Sequence, residues 1–305
     1  MDRVSQAVKD LVEEIQRMPE APDPAETDRH AFTLLLSGIA ACRRAPGIPC
    51  HMGYRTLYRC GDEPASEELK AHLFRLYGIY DRESLEKVCM EQFTSGREYE
   101  QFMTFWCDAP LFDLEELEEK GRRAFETRFK RASLFRPYVG ERGFYAWDIN
   151  ERIGLGRLAC ACGIIDRETF DELTDYQVRK AQVFYHTFKD YAVSCICGAV
   201  YDVPGGDEED MLSFLDLNRK LALHLLEEGG AWYRNAWYAP EKREWVSLLP
   251  HNGGCIVSKQ IEEGRAIGYM YRDSRPSEQW ADTGWRFFAG DESDEYSRNP
   301  DNFTI

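Results

Sequence analysis

Asp291-Glu292-Ser293-Asp294-Glu295 is the densest carboxylate cluster that follows a predicted strand. Carboxylates in such a run could hold a cation, support hydrolytic chemistry or draw in a basic partner. Calcium needs more than charge: the twelve-residue loop that binds it carries an internal glycine and a distal glutamate, and this segment lacks that pattern. As an acidic lip beside Trp285, Phe287 and Tyr296, the same residues suit a basic protein surface, with aromatic anchors supplying affinity and charge supplying steering. Residues 251–305 hold ten acidic and six basic side chains, so steering must come from this local cluster rather than from the whole segment. The plainer alternative is a solvated turn that caps a helix start.

Thiols are the second reactive group. Cys50-His51, flanked by Cys42 and Cys60, could supply a nucleophile with its base or part of a zinc site, and either role demands an activating environment. Cys160 with Cys162, and Cys195 with Cys197, are spaced two apart; on a helix such residues point about 200° apart and cannot hold one ion together. They read as small core residues. Gly154-Leu155-Gly156-Arg157-Leu158-Ala159 matches a dinucleotide fingerprint by letters, but the preceding Trp147 to Arg152 is polar and helix-like where a buried strand is required. His186, His224 and His251 stand without a partner at i+3 or i+4 and read as structural histidines. No catalytic residue, metal or cofactor is expected.

The chain has 305 residues, enough for about two domains. Hydrophobic residues at 43% and aromatics at 13% exclude global disorder. A net charge of -16 repels phosphate backbones and anionic membranes and favours basic protein partners, so neither nucleic acid nor membrane is expected as a ligand. The N-terminus lacks the pattern of a signal peptide, and no apolar run is long enough to span a membrane. Scattered cysteines then read as reduced thiols of a cytoplasmic protein.

Helices dominate the first two thirds. Val4, Val8, Leu11, Val12 and Ile15 make one stripe, three prolines between Pro19 and Pro24 make a linker, and a second helix is predicted over 26–44, stopping at Ala45-Pro46-Gly47. Gly78-Ile79-Tyr80-Asp81 recurs as Gly163-Ile164-Ile165-Asp166, which predicts two helix corners, each with a left-handed glycine and an aspartate cap. A helix is predicted from Asp113, acidic at its start and basic at its end; residues 120–142 hold eight basic and two acidic side chains, read as a solvated helix end. One long helix is predicted from Thr174 to Val200, packed against the glycines of the helix that carries Trp147 to Ala159. Asp148 and Arg157, nine residues apart, are too distant for an intrahelical pair and should tie their helix to others. Strands are predicted near Cys255, from Ile267 to Arg272 and from Trp285 to Phe288.

Two resemblances follow from these segments. Gly268-Tyr-Met-Tyr-Arg272 and Gly284-Trp-Arg-Phe with the acidic run to Tyr296 resemble the immunity protein 33-like family (domain of unknown function 2185), over about 253–305. The block from Tyr145 to Ile165, with Phe188 to Tyr201, Leu76 to Ile79 and Ala231 to Trp237, resembles the bacterial domain of unknown function 1266, over about 68–240. That family's signature is a Trp-Asp entering a helix, a later arginine, a glycine corner and a helix ending near a glycine; Trp147, Asp148, Arg157, Gly163 and Gly198 fill those places. Phe188 and Ala199 depart from it, so no role at those positions carries over.

The fold class expected is α+β: an N-terminal helical extension and loop over 1–66, a helical domain over 67–248, and a small α+β domain with an antiparallel sheet over 249–305. Members of the immunity-type family continue past the Asn-Pro-Asp-Asn stretch, which implies a shortened domain here. The resemblance implies neutralisation of a cognate toxin by binding, without catalysis. Two other readings stay open: a structural or regulatory adaptor, and a hydrolase or metal enzyme using the Cys42 to Cys60 region or the Asp291 cluster.

Overall fold

A computed structural model describes residues 2–43, 50–51, 59–105, 113–203, 207–238, 254–273 and 282–304. The Ala45-Pro46-Gly47 stop and His251 lie outside the described residues, as do the side chains of Cys50 and His51. The chain divides into two compact units, Met1–Val246 and Ser247–Ile305.

The first unit is helical. Helix α1 (Asp2–Arg17) buries Val4, Val8, Leu11 and Ile15, the stripe that its periodicity predicts. The helix expected over 26–44 is two, α2 (Arg29–Leu36) and α3 (Gly38–Cys42), because Ser37 turns its hydroxyl back to the Leu34 carbonyl. Strands β1 (Cys50–His51) and β2 (Arg59–Cys60) form an antiparallel bridge that sets Cys50 opposite Cys60. Helices α4 (Glu63–Tyr77), α5 (Arg82–Glu91) and α6 (Ser95–Glu100) follow, the last running into a π-helical turn. Asp113 caps a short 3-10 turn rather than a helix, and α7 begins later, spanning Glu119–Val139.

Helices α8 (Tyr145–Ala161) and α10 (Phe188–Tyr201) are buried on most sides and form the centre of this unit. Helix α9 (Arg167–Phe184) lies against α8, and α11 (Glu208–Leu226) against α10. The continuous helix expected over 174–200 is broken between α9 and α10. Tyr185 is extended there, and the Thr187 side chain accepts the Asp190 amide as a new N-cap. Both corners form as their sequences predict. Gly78 and Gly163 have φ of 70° and 76°, and Asp81 and Asp166 cap α5 and α9.

Close approach explains the small residues of the central helices. A Cβ on Gly198 would lie 2.5 Å from the Trp147 Cβ, so this glycine lets α10 and α8 touch. Gly154 closes instead on Ala40 of α3, where a Cβ would meet the alanine Cβ at 2.7 Å, and Gly156 faces the Phe170 ring of α9. The expected neighbour of these two glycines was the 174–200 segment; the structure gives that contact to Gly198.

The second unit is a four-stranded sheet in the order β4-β5-β3-β6. It comprises β3 (Gly254–Ser258), α12 (Lys259–Glu262), β4 (Tyr269–Arg272), β5 (Asp282–Phe288), α13 (Asp294–Arg298) and β6 (Phe303–Thr304). The three predicted strands form and the α+β class holds. The sheet itself is mixed: β3 and β5 run parallel, while β4 and β6 are antiparallel to their neighbours. After β3 the chain crosses through α12 to β4 at the outer edge, so β5 returns in the direction of β3.

The same substitution should act in opposite directions at two glycines. Gly198→Ala should lower the urea midpoint, costing about 1–3 kcal/mol by overpacking. Gly121→Ala, on the exposed surface of α7 where a Cβ meets nothing closer than 3.9 Å, should raise it by about 0.5–1 kcal/mol. Midpoints that move together would contradict the α8–α10 contact described here.

Candidate functional site

Alternation along β5 puts Trp285 and Phe287 on one face of the sheet and Arg286 and Phe288 on the other. Trp285 and Phe287 stack at 6.1 Å, both half-buried, and share their face with Met270 and Arg272, their partners across β4. On the opposite face Phe288 stacks on Tyr271 at 5.9 Å and meets Tyr269 and Phe303. Tyr296 packs edge-on against Phe303 and donates to the Asn302 carbonyl, so it belongs to that second face. The three aromatics expected to form one patch therefore occupy two. Tyr269, Met270 and Tyr271 are 56%, 57% and 40% exposed, and among the described residues no apolar side chain of this unit is fully buried.

The carboxylates divide as well. Asp291 pairs with Arg265. Glu292 accepts the amides of Ala289 and Gly290 at 2.7 and 2.8 Å. Its burial opposes ionisation, but these N–H groups outweigh it and hold the carboxyl below its ordinary value. Ser293 caps α13 by accepting the Tyr296 amide. Asp294 and Glu295 stand exposed in the first helical turn, where negative charge is favoured. Glu292 thus builds the turn, while Asp294 and Glu295 face solvent.

In the first unit, Asp148 reaches from α8 to the start of α6 and accepts the amides of Ser95 and Gly96 at 3.1 and 2.8 Å. It is a helix cap supplied by another helix. Burial pushes its carboxyl up to about 6, against the opposing pull of Arg152, the Gly96 amide and Lys180. Arg157, fully buried, donates to the Leu34 carbonyl and the Ser37 hydroxyl. The Trp147 indole donates to Asp202 at 3.4 Å, and the Arg43 guanidinium lies 4.9 Å over its ring. Trp147, Asp148, Arg157 and Gly198 thus join helices, and Gly163 turns a corner.

Lys180 was not singled out by sequence. Its ammonium sits 3.5 Å over the Tyr145 ring, and burial pushes it down to about 7. The only signal is its place beside Val178 and Ala181 on the buried stripe of α9. Tyr145 in turn bonds Glu100.

The thiols are embedded rather than poised. Cys195 and Cys197 are fully buried and burial pushes both thiols up, away from the nucleophilic thiolate. Cys42 and Cys60 pack against the core, while Cys160 and Cys162 lie at the end of α8. Gly154 and Gly156 sit within α8 and not at a strand-to-helix turn. Among the described residues, no group of three or more His, Cys, Asp or Glu could hold a metal ion, and no helix is long and apolar enough to cross a membrane.

Comparison with known families places both units. The profile described as Protein of unknown function (DUF1266) matches residues 72–237, more than half of the 305, and the chain belongs to that family. A second profile, described as Immunity protein Imm33 domain, matches residues 255–305, which cover the whole sheet except the start of β3. No curated protein and no solved structure matches the chain.

Lys180 sets a pH dependence. Its pKa is depressed in the fold to about 7, against about 10.4 in an unfolded chain. Between those values the unfolded state binds the extra proton, so stability rises with pH across that window and is lost as pH falls from about 10.4 towards 7. Above about pH 8.5 the raised thiols of Cys195 and Cys197 act with the opposite sign. The urea midpoint should therefore climb from pH 7 to about 8.5, and Lys180→Met should flatten the climb. An unchanged slope in that variant would assign the dependence to other groups.

Proposed function

We propose that the protein neutralises a cognate protein toxin in the cytoplasm by binding it through the sheet of its second unit, without catalysis. The observation that carries this reading is the Imm33 match over a sheet whose Tyr269, Met270 and Tyr271 stand largely exposed. Aromatic and methionine side chains of this kind are enriched at protein interfaces and supply affinity. Asp294 and Glu295 add exposed negative charge, and the chain carries -16 overall, so the partner that fits is basic. Trp285 and Phe287 extend the contact on the other face if the partner wraps the β4 edge; Asp291, Glu292 and Tyr296 shape the turn beside it.

Co-expression with any toxin encoded beside this gene tests the proposal. The intact protein should restore growth and copurify with the toxin. Asp294→Lys with Glu295→Lys should slow association and weaken its salt dependence, whereas Tyr269→Ala with Tyr271→Ala should mainly speed dissociation. Circular dichroism separates lost contacts from lost folding. Full protection by a well-folded variant carrying all four changes would remove this surface from the mechanism.

A further inference from the structure

A cavity of about 270 Å³ opens in the first unit between α5, α8 and α9. Leu85, Cys89 and Met90 of α5, Gly156 of α8 and Leu173 of α9 give it a mainly apolar lining, and Glu86 and Thr174 also reach it. Two polar side chains at this cavity keep hydrogen-bonding capacity that the described residues do not use. Gln177 is 6% exposed, and its amide makes no hydrogen bond among the described residues. Arg152 donates to the Phe93 carbonyl, but its Nε is buried with no partner. The guanidinium makes no ion pair among the described residues, and the nearby acids are committed elsewhere: Asp148 to the amides of Ser95 and Gly96, and Glu86 to Arg82. A guanidinium whose neighbouring carboxylate, Asp148, is already held by two backbone amides keeps donors for a further anion, and beside an apolar cavity that is the donor set for a carboxylate with a short hydrocarbon body.

We propose that this cavity is a binding site for a small apolar monocarboxylate, its carboxylate held by Arg152 and Gln177 and its body by Leu85, Met90 and Leu173. The volume lies just under the roughly 300–1,000 Å³ of drug-sized sites, which limits the occupant to a compact molecule. The toxin-binding reading does not depend on this site, since the cavity belongs to the first unit alone.

Titration of the full chain with hexanoate and with the neutral hexanamide, read by calorimetry and by the methyl signals of Met90, Leu85 and Leu173, tests it. Hexanoate should bind saturably, shift those methyl signals, and bind about tenfold or more tighter than hexanamide, the scale of a charge-assisted hydrogen bond. Arg152→Met should bring hexanoate down to the level of the amide, and Leu173→Trp, which fills the cavity with Arg152 intact, should abolish both. Equal binding of acid and amide, shifts confined to residues outside the cavity, hexanoate binding that survives Leu173→Trp, or no binding at millimolar hexanoate would overturn the proposal. If Arg152→Met does not fold, the acid-to-amide comparison and Leu173→Trp decide it.

Discussion

The break between α2 and α3 is the constraint on which the helical unit depends. A helix interrupted inside a core leaves carbonyls at one end and amides at the other with no partners of their own. Leu34, Leu35 and Leu36 are all 0% exposed, so solvent cannot serve them. Arg157 donates to the Leu34 carbonyl, the Trp232 indole to Leu35 and the Tyr191 hydroxyl to Leu36, while Asn150 accepts the amide of Ala40. Four side chains from α8, α10 and the segment after α11 thus converge on one interruption. The Ser37 amide also serves the Leu34 and Leu35 carbonyls, and since a buried group left unsatisfied would cost about 1–3 kcal/mol, the break favours the placement of those helices. It also explains why α8, buried on most sides, keeps Asn150 and Arg157 among its apolar residues.

Much of the helical unit was legible because local signals agree with tertiary ones. The α1 stripe and the Gly-Asp corners at 78–81 and 163–166 are complete within a few residues of sequence, and they fold as read. The breaks at Ser37 and at Tyr185 to Thr187 were not legible, because what stabilises them is remote. The Tyr185 hydroxyl donates to the Arg142 carbonyl and accepts the Ala146 amide, contacts some forty residues away in sequence that periodicity cannot contain. Similarly, the nine-residue spacing of Asp148 and Arg157 excluded a mutual pair without naming Ser95, Gly96 or Leu34 as the partners.

The sheet shows the same boundary in another form. Aromatic and β-branched runs marked β3, β4 and β5, but strand direction depends on the crossover through α12, and β6 is only the two residues Phe303–Thr304. Missing β6 hid Phe303, and with it the reason Tyr296 lies on the face opposite Trp285 and Phe287. The acidic run was visible as charge; its division became visible only as geometry. A turn that needs its own amides satisfied takes Glu292 inward, whereas the first turn of α13 leaves Asp294 and Glu295 in solvent.

Buried charge and exposed aromatic surface do different work in this chain. In the helical unit, Asp148, Arg157 and Lys180 are committed to backbone amides, a carbonyl or an aromatic ring, an arrangement that fixes one packing among alternatives and leaves little to offer a macromolecular partner. The sheet is built in the opposite way. With no fully buried apolar side chain among its described residues, it keeps Tyr269 and Tyr271 at the surface, ordered by mutual contact at 5.8 Å and by stacking on Phe288. Two-torsion aromatic side chains already held in place lose little entropy when a partner covers them. A sheet that keeps its aromatic residues at the surface gives up internal stability, and in the binding role proposed above the contact with the partner offsets that loss.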